Sequence, residues 1–272
     1  MRALVLGGLG AVGGVVVDVL REWGHDVTPA GRRAPQGGLA VDLRVGDGLT
    51  RLAEAARDHD VVVNASGVED PRIATALDGA VLVDISATAR YLESLAGVAV
   101  DADAGVVLGA GLAPGLTTVL VAGLDPASGD EIDVAIVLGS GEKHGTAAVE
   151  WTAGLLGTPL HDPGEDRTIV NLRDRCTLTD ISGRRRVFLR ADFPDHLLVG
   201  VPRGALVRSQ LAFSSPVATA ALAVASYAPA SAEPSAVPRA WGPMSGVSSR
   251  STGQPAAGSA RGAGGSRAPR AS

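Results

Sequence analysis

Three groups of residues carry chemistry by their type and spacing. Gly7, Gly8, Gly10 and Gly13 satisfy both Gly8-x-Gly10-x-x-Gly13 and Gly7-x-x-Gly10-x-x-Gly13. Glycines so placed permit a tight turn out of a strand, let a pyrophosphate approach the backbone and let a helix pack closely on a sheet. The anion would then sit on free N–H groups at the positive end of the helix. A purely structural glycine turn is the plainer reading. The second group is Arg32 and Arg33, just after Pro29-Ala30-Gly31. NAD sites place an acidic residue there for the ribose 2′-hydroxyl. A guanidinium matches a 2′-phosphate in charge and forked shape, so the pair favours NADP(H) over NAD(H). Two solvated surface arginines are the alternative.

The third group is Gly139-Ser140-Gly141-Glu142-Lys143-His144-Gly145, ahead of a helical stretch with Glu150 and Trp151. It gathers titratable groups, a cation and glycines at a strand-to-helix turn. Reduction of an imine or carbonyl needs a proton donor, and oxidation needs a base. His144, Lys143 and Glu150 are the candidate catalytic residues, and the turn's N–H groups could hold a substrate carboxylate. The plainer reading is a surface histidine and a solvated lysine. Arg203 is a weaker candidate for a substrate carboxylate. Asp192 and His196 read as surface residues of a polar turn, and Cys176 has no evident base partner.

The elements that must position these groups alternate. Apolar Ala3 to Leu6 is a strand, Ala11 to Trp23 a helix, and a second strand ends at Gly31. Leu39 to Leu43 is a third strand ending at Asp42, followed by a helix over Leu49 to Arg57. Asp60 to Asn64, Ala80 to Asp84 and Val106 to Leu108 continue the strands, with helical turns over Pro71 to Leu77 and Thr88 to Leu95. Pro114 suits the first turn of a helix running to Leu124. Continuous apolar strands alternating with helices imply a parallel sheet covered on both faces. After Asp130 the texture changes. Glu131 to Leu138 alternates as a half-buried strand does, His144 to Leu156 is helical, and Arg167 to Leu172, Arg185 to Ala191 and Ala205 to Phe213 are strands. The expected architecture is α/β. A Rossmann-type parallel-sheet domain (1–124) precedes an α+β substrate or dimerisation domain with a mixed sheet (125–214), and an alanine-rich helix (215–228) returns to the first domain.

Residues 229–272 are Pro, Ser, Gly, Ala and Arg with almost no aliphatic pattern, and such a segment cannot offset its ordering entropy. A disordered tail is expected there, its abrupt onset pointing to a degenerate or out-of-frame terminus. Five arginines against one glutamate make it basic, but without lysines or aromatics it does not read as a nucleic-acid arm.

Composition narrows the class. Apolar residues make up 46% but aromatics only 3%, so the core must be aliphatic. The net charge of −5 disfavours a polyanion binder, and no nucleic-acid partner is expected. One cysteine excludes an intrachain disulfide and fits a reducing cytoplasm. No Cys/His set has zinc spacing, so no metal is expected. No apolar run approaches ~18 residues, so no membrane span is expected. Met1-Arg2 before an apolar stretch could pass for a signal peptide, but Asp18 interrupts the run and no small-residue cleavage site follows. One lysine against 23 arginines, with abundant Ala, Gly and Val, fits a GC-rich bacterial genome.

Several segments together resemble the saccharopine dehydrogenase-like family of NADP-binding oxidoreductases. They are VLGGLGAVGG, the NASG after the fourth strand, DISATARYLESL, and GAGLAPGLTTVLVAGL. The resemblance covers residues 1–228 and is strongest over 1–124. It implies a Rossmann domain with an inserted substrate domain, and hydride transfer between NADP(H) and a small amino-acid-like, carboxylate-bearing imine or carbonyl. It places Gly8, Gly10, Ala11, Val12 and Gly13 at the phosphates, Arg32 and Arg33 at the 2′-phosphate, and Asp42 and Leu43 beside the adenine. Asn64, Ala65 and Ser66 would lie under the ribose and nicotinamide, with Ser86 and Ala87 nearby. Ala113 stands where saccharopine reductases carry an acidic residue that helps bind the amino acid. That difference keeps open a protein that binds NADP without turnover, or a scaffold that forms a homodimer through the second-domain sheet.

Overall fold

The computed structural model describes residues 1–33, 37–102, 105–139 and 146–228. β1 (Arg2–Leu6) is the axis of the first layer. Its alternation sends Leu4 and Leu6 to one face and Val5 to the other, all but inaccessible to water. After α1 (Ala11–Glu22), β2 (Asp26–Gly31) pairs on one side of β1, and β3 (Leu39–Ala40) pairs outside β2. The chain then crosses through α2 (Gly48–Ala56) to β4 (Val61–Asn64) on the other side of β1. α3 (Arg72–Thr75), β5 (Val81–Asp84), α4 (Ala89–Asp101) and β6 (Val106–Val107) extend that side. All pairs are parallel, and the strand order is 3-2-1-4-5-6. This is the doubly wound dinucleotide-binding order, which reverses between β1 and β4.

The two faces are covered unequally. Leu52 of α2, Ile73 of α3 and Leu92 and Leu95 of α4 pack on Leu4, Leu6, Val62 and Leu82. On the other face, Val16, Val17 and Leu20 of α1 pack on Val5, Val27 and Val63, while Val81 and Val107 remain exposed.

α5 (Leu116–Gly123) leads into a second sheet built from β7 (Glu131–Leu138), β8 (Arg175–Thr179), β9 (Arg185–Arg190) and β10 (Leu206–Phe213). Its order is β7-β10-β9-β8, with β7 and β10 parallel and the other pairs antiparallel, so the sheet is mixed as expected. α6 (Thr146–Leu155) and α8 (Pro216–Ala225) cover one face. A π-helical turn (His196–Gly200) and α7 (Val201–Arg203) connect β9 to β10. No helix among the described residues is long and apolar enough to cross a membrane.

Four expectations need correction. Arg167 to Leu172 is not a strand. Leu172 sits at φ 67 with its side chain fully buried, a backbone state no β-strand contains. The strand falls eight residues later, at β8, because Asp180 organises the hairpin that joins it to β9. Its Oδ1 accepts the Ser182 and Arg184 N–H groups, and the Ser182 hydroxyl and Arg186 hold its carboxyl well below the usual range. β3 ends at Ala40 rather than continuing to Leu43. Pro114 precedes α5 instead of starting it: the Ala113–Pro114 bond is cis, and Gly115 at φ 133 intervenes. Finally, α8 does not return to the parallel sheet. Only Ser214 and Ser215 separate it from β10, so it folds straight back. The Thr219 hydroxyl accepts the Phe213 N–H at 2.9 Å, and Leu222 and Ala223 join Leu189, Leu211 and Phe213 in the second core. Arg173 grips the far end, donating to the Ser226 carbonyl at 2.8 Å and lying 4.7 Å over the Tyr227 ring.

One buried carboxylate fastens α5 to the second sheet. Asp195 is inaccessible and accepts the hydroxyls of Thr117 (2.9 Å), Thr118 (2.7 Å) and Ser209 (3.3 Å). Removing it leaves hydroxyls without an acceptor in a dry site. Asp195→Ala is expected to lower unfolding free energy by about 2–4 kcal/mol in urea titration. A loss under about 1 kcal/mol would mean that the three hydroxyls find other acceptors.

Candidate functional site

The crevice where the strand order reverses lies at the C-terminal ends of β1 and β4. The chain leaves β1 at Gly7, whose φ of 73 suits glycine. A Cβ on Gly7 would lie 2.4 Å from the Ala65 carbonyl oxygen, and one on Gly13 would lie 2.2 Å from the Gly7 oxygen. α1 therefore rests on the loop with no room for a side chain at either contact. The Gly8 N–H reaches the Ala30 oxygen at 3.1 Å, and the Gly10 N–H reaches the Gly7 oxygen at 2.8 Å. No side chain caps α1 at Gly10, and Leu9, Gly10, Ala11 and Val12 are exposed. The first N–H groups of a helix have no intrahelical acceptor. Here they meet open solvent at the crevice, an arrangement that could hold an anion.

The strand ends use one device three times. Asp42 Oδ1 accepts the Arg44 N–H at 3.0 Å, Asn64 Oδ1 accepts the Ser66 N–H at 3.3 Å, and Asp84 Oδ1 accepts the Ser86 N–H at 2.8 Å. Each is an Asx turn, in which a side-chain oxygen stands in for a backbone carbonyl. The two central turns are tied together. Asn64 Nδ2 donates to Asp84 Oδ2 at 2.7 Å and to the Val68 oxygen at 3.0 Å. The Ser66 hydroxyl donates to Asn64 Oδ1 at 2.7 Å, and the Tyr91 hydroxyl donates to Asp84 Oδ2 at 2.8 Å. Burial, reinforced by the Asp84 charge, pushes the Tyr91 phenol far up, so it stays a donor. Burial also raises Glu69, against the Thr88 hydroxyl.

This network gives each candidate contact a place. Asn64 is 1% exposed and spends its amide inside the network, so it positions the loop above it. Ala65 supplies the carbonyl that meets Gly7, and Ser66, Ser86 and Ala87 are half-buried along the same rim. Arg32 and Arg33 are exposed at the end of β2. Leu43 packs toward the core beneath α2, and the Asp42 carbonyl would meet a Cβ on Gly48 at 2.1 Å. Lys143 and His144 lie outside the described residues. Glu150 is exposed on α6, one residue before Trp151, whose ring lies 4.9 Å from Phe193 in the second core.

The GAGLAPG segment is a knot of backbone bonds beside the crevice. The Ala110 N–H extends the sheet to the Asp84 oxygen at 2.7 Å, and the Gly111 N–H reaches the Pro114 oxygen at 3.0 Å. A Cβ on Gly115 would lie 1.9 Å from the Gly111 oxygen. Ala113 packs against the second core. Arg203 is paired with Asp125 at 2.6 Å.

His196 is not a surface residue, and Asp192 is half-buried. His196 is 6% exposed, with Nδ1 3.0 Å from the Phe193 oxygen and Nε2 2.7 Å from the His161 oxygen. His161 in turn meets Glu93 of α4 at 2.7 Å, joining the two layers. The polar letters of this segment concealed a π-helical turn that packs inward. Cys176 is half-buried on β8, and burial pushes its thiol up, away from nucleophilic use. Among the described residues no group of three His, Cys, Asp or Glu could hold a metal.

Compared with protein-family models and with curated proteins, the chain matches none. Solved structures give weak similarity. A short-chain dehydrogenase/reductase superfamily protein from Agrobacterium tumefaciens with bound NAD is 26% identical over 32% of this chain and 33% of that one, at a TM-score of 0.27. The 3-alpha-hydroxysteroid dehydrogenase from a Pseudomonas species, complexed with NADH, is 21% identical over 38% of this chain and 59% of that one, at 0.28. UDP-N-acetylglucosamine 3-dehydrogenase from Acidithiobacillus ferrooxidans is 10% identical over 79% of this chain and 69% of that one, at 0.37. The first match spans about a third of the Agrobacterium protein's length. At these TM-scores the similarity is weak, and the dinucleotide-type topology is read from the chain's own strand order.

Two measurements follow from this geometry. Gly13→Ala must push α1 off the Gly7 carbonyl. It is expected to cost about 1–3 kcal/mol in urea unfolding and to abolish any nucleotide binding, whereas Gly97→Ala, inside α4 with open space at its Cβ, should not destabilise the chain and should leave binding unchanged. Equal behaviour of the two variants would sink the close-contact account. Asp192 is raised by burial, which outweighs the His161 N–H at 3.0 Å and the nearby cations. The folded chain therefore holds that proton to higher pH than the unfolded chain. Stability should fall as pH rises from the ordinary carboxylate range, about pH 4, through the raised value. Asp192→Asn should flatten that fall, leaving the slope contributed by Glu69, which is raised in the same direction. An unchanged slope in urea titrations across this pH range would refute the assignment.

Proposed function

We propose that the chain is an NADP(H)-dependent oxidoreductase of the saccharopine dehydrogenase-like type, acting on a small amino-acid-like imine or carbonyl that bears a carboxylate. The observation that carries this reading is the side-chain-free contact of Gly7 and Gly13, which keeps the uncapped N-terminus of α1 open at the switch point of a 3-2-1-4-5-6 sheet. A dinucleotide fits this cradle: its pyrophosphate on the N–H groups of Ala11 to Gly13, its 2′-phosphate by Arg32 and Arg33, and its ribose and nicotinamide along Ala65, Ser66, Ser86 and Ala87. Bound there, the cofactor supplies a hydride.

The remaining work falls to the chain. The Asn64–Asp84–Tyr91 network holds the rim beneath the nicotinamide end. The GAGLAPG knot sets the neighbouring wall with backbone rather than charge. His144, Lys143 and Glu150 are the proposed acid/base residues, and the group that gives the proton in reduction takes it back in oxidation. The localisation we propose is the cytoplasm.

Ala113, apolar and packed into the second core, favours one alternative: a protein that binds NADP(H) without turnover. Turnover of any imine or keto acid by the purified chain would remove that alternative.

The test of cofactor choice is a fluorescence titration with NADPH and NADH on wild type and on Arg32→Ala/Arg33→Ala. Losing two charge-assisted contacts should weaken NADPH binding about 10- to 100-fold and leave NADH unchanged. Equal loss of both cofactors, or binding of neither by wild type, would overturn the reading.

A further inference from the structure

The polarity of α5 is inverted. Its inward side carries Thr117 and Thr118, bonded to buried Asp195, together with Val121, which packs on Val199 and Val207. Its outward side carries Leu116, Val119, Leu120 and Leu124, which are 52%, 68%, 63% and 68% exposed, with Leu112 at 65% just before the helix. Leu116, Val119, Leu120 and Leu124 recur at helical spacing, so they form one ridge, which Leu112 precedes in the chain. No charged residue occurs from Gly105 to Leu124. Scattered exposed leucines are ordinary, but a continuous uncharged ridge marks an interaction surface.

We propose that this ridge is the contact between two copies of the chain, α5 against α5 across a two-fold axis. A second copy fits for three reasons. An isologous contact sets like residues against like, which suits an uncharged ridge and would penalise a charged one. Asp125, the first charge beyond the ridge, is already paired with Arg203 at 2.6 Å. Five side chains with these exposures offer about 500 Å² per copy, so a pair buries about 1,000 Å², the lower bound of a specific interface. Gly123 has open space where a Cβ would stand, which lets a facing helix approach closely at the end of the ridge. The surface differs from the second-domain sheet and is independent of the proposed chemistry.

The test is sedimentation velocity of the full chain over a wide concentration range. Wild type should show a monomer–dimer equilibrium. Leu116→Glu/Leu120→Glu should weaken dimerisation at least about 100-fold, with an unchanged far-ultraviolet circular dichroism spectrum. Ile181→Glu, at a fully exposed apolar residue of the β8–β9 hairpin, should leave the dimer intact. Because the chain has a single cysteine, a second readout avoids any folding defect of the double variant. In a Cys176→Ser background, Leu120→Cys should give a covalent dimer with a short bismaleimide, and Ile181→Cys should not. A wild type that stays monomeric, a mixture of higher oligomers, a dimer that survives the double substitution, or cross-linking at Ile181→Cys instead would each overturn the proposal. A monomer that sediments with lipid vesicles through Leu120 would overturn it too, and would assign the ridge to a membrane surface.

Discussion

The contact between Gly13 and the Gly7 carbonyl is the constraint from which the first layer is built. It sets the distance of α1 from the sheet, and Gly7 sets the distance of the β1 loop from the β4 loop. Both distances are shorter than any side chain allows. Packing and receptor are thus one feature: the approach that seals Val17 onto Val5 and Val63 also presents the helix N-terminus, without a side-chain cap, at the crevice. A methyl group at either glycine would damage stability and site together.

The floor beneath the crevice is polar but closed. Asn64, Asp84 and Tyr91 lie in the interior and use their polar atoms on one another and on the loops above. A buried network of this kind is stabilising only when its members are satisfied, and then it selects one arrangement. It fixes where β4 and β5 release the chain, and hence where the rim residues stand. Asp195 does the same for α5, so the passage from one layer to the next is held by hydroxyl–carboxylate bonds as well as by the packing of Val121 on Val199 and Val207.

The first layer was largely legible in the sequence. Its strands are continuous aliphatic runs, and its turns carry glycines whose spacing has one steric explanation, so local pattern and tertiary role agree. The second layer was less legible. Its strand content was read within a residue or two at β7, β9 and β10, but Arg167 to Leu172 was mistaken for a strand, because the left-handed state of Leu172 leaves no trace in a hydropathy pattern. The packing of α8 was decided by a two-residue connection, whose consequence is geometric rather than compositional. In the candidate site the glycines and the exposed arginines were legible. The inward turn of Asn64 was not, since it is set by a carboxylate twenty residues away. A signal did exist: Asx followed by Ser two residues later, at the ends of both β4 and β5, is the spacing of an Asx turn. The burial of His196 had no such signal, because one of its partners is a carbonyl contributed by His161, thirty-five residues away.

The crevice also has two electrostatic characters. At the glycine loop, the attraction for an anion comes from fixed backbone dipoles at short range, with exposed apolar Leu9 and Val12 at its edge. At the end of β2 it comes from two exposed guanidinium groups in open water. Counter-ions screen the second far more than the first, over a distance of about 10 Å at moderate ionic strength. A ligand spanning both ends would therefore keep its grip at the loop as salt rises while losing it at the arginines, so ionic strength alone could erode the discrimination between a phosphorylated and an unphosphorylated ribose.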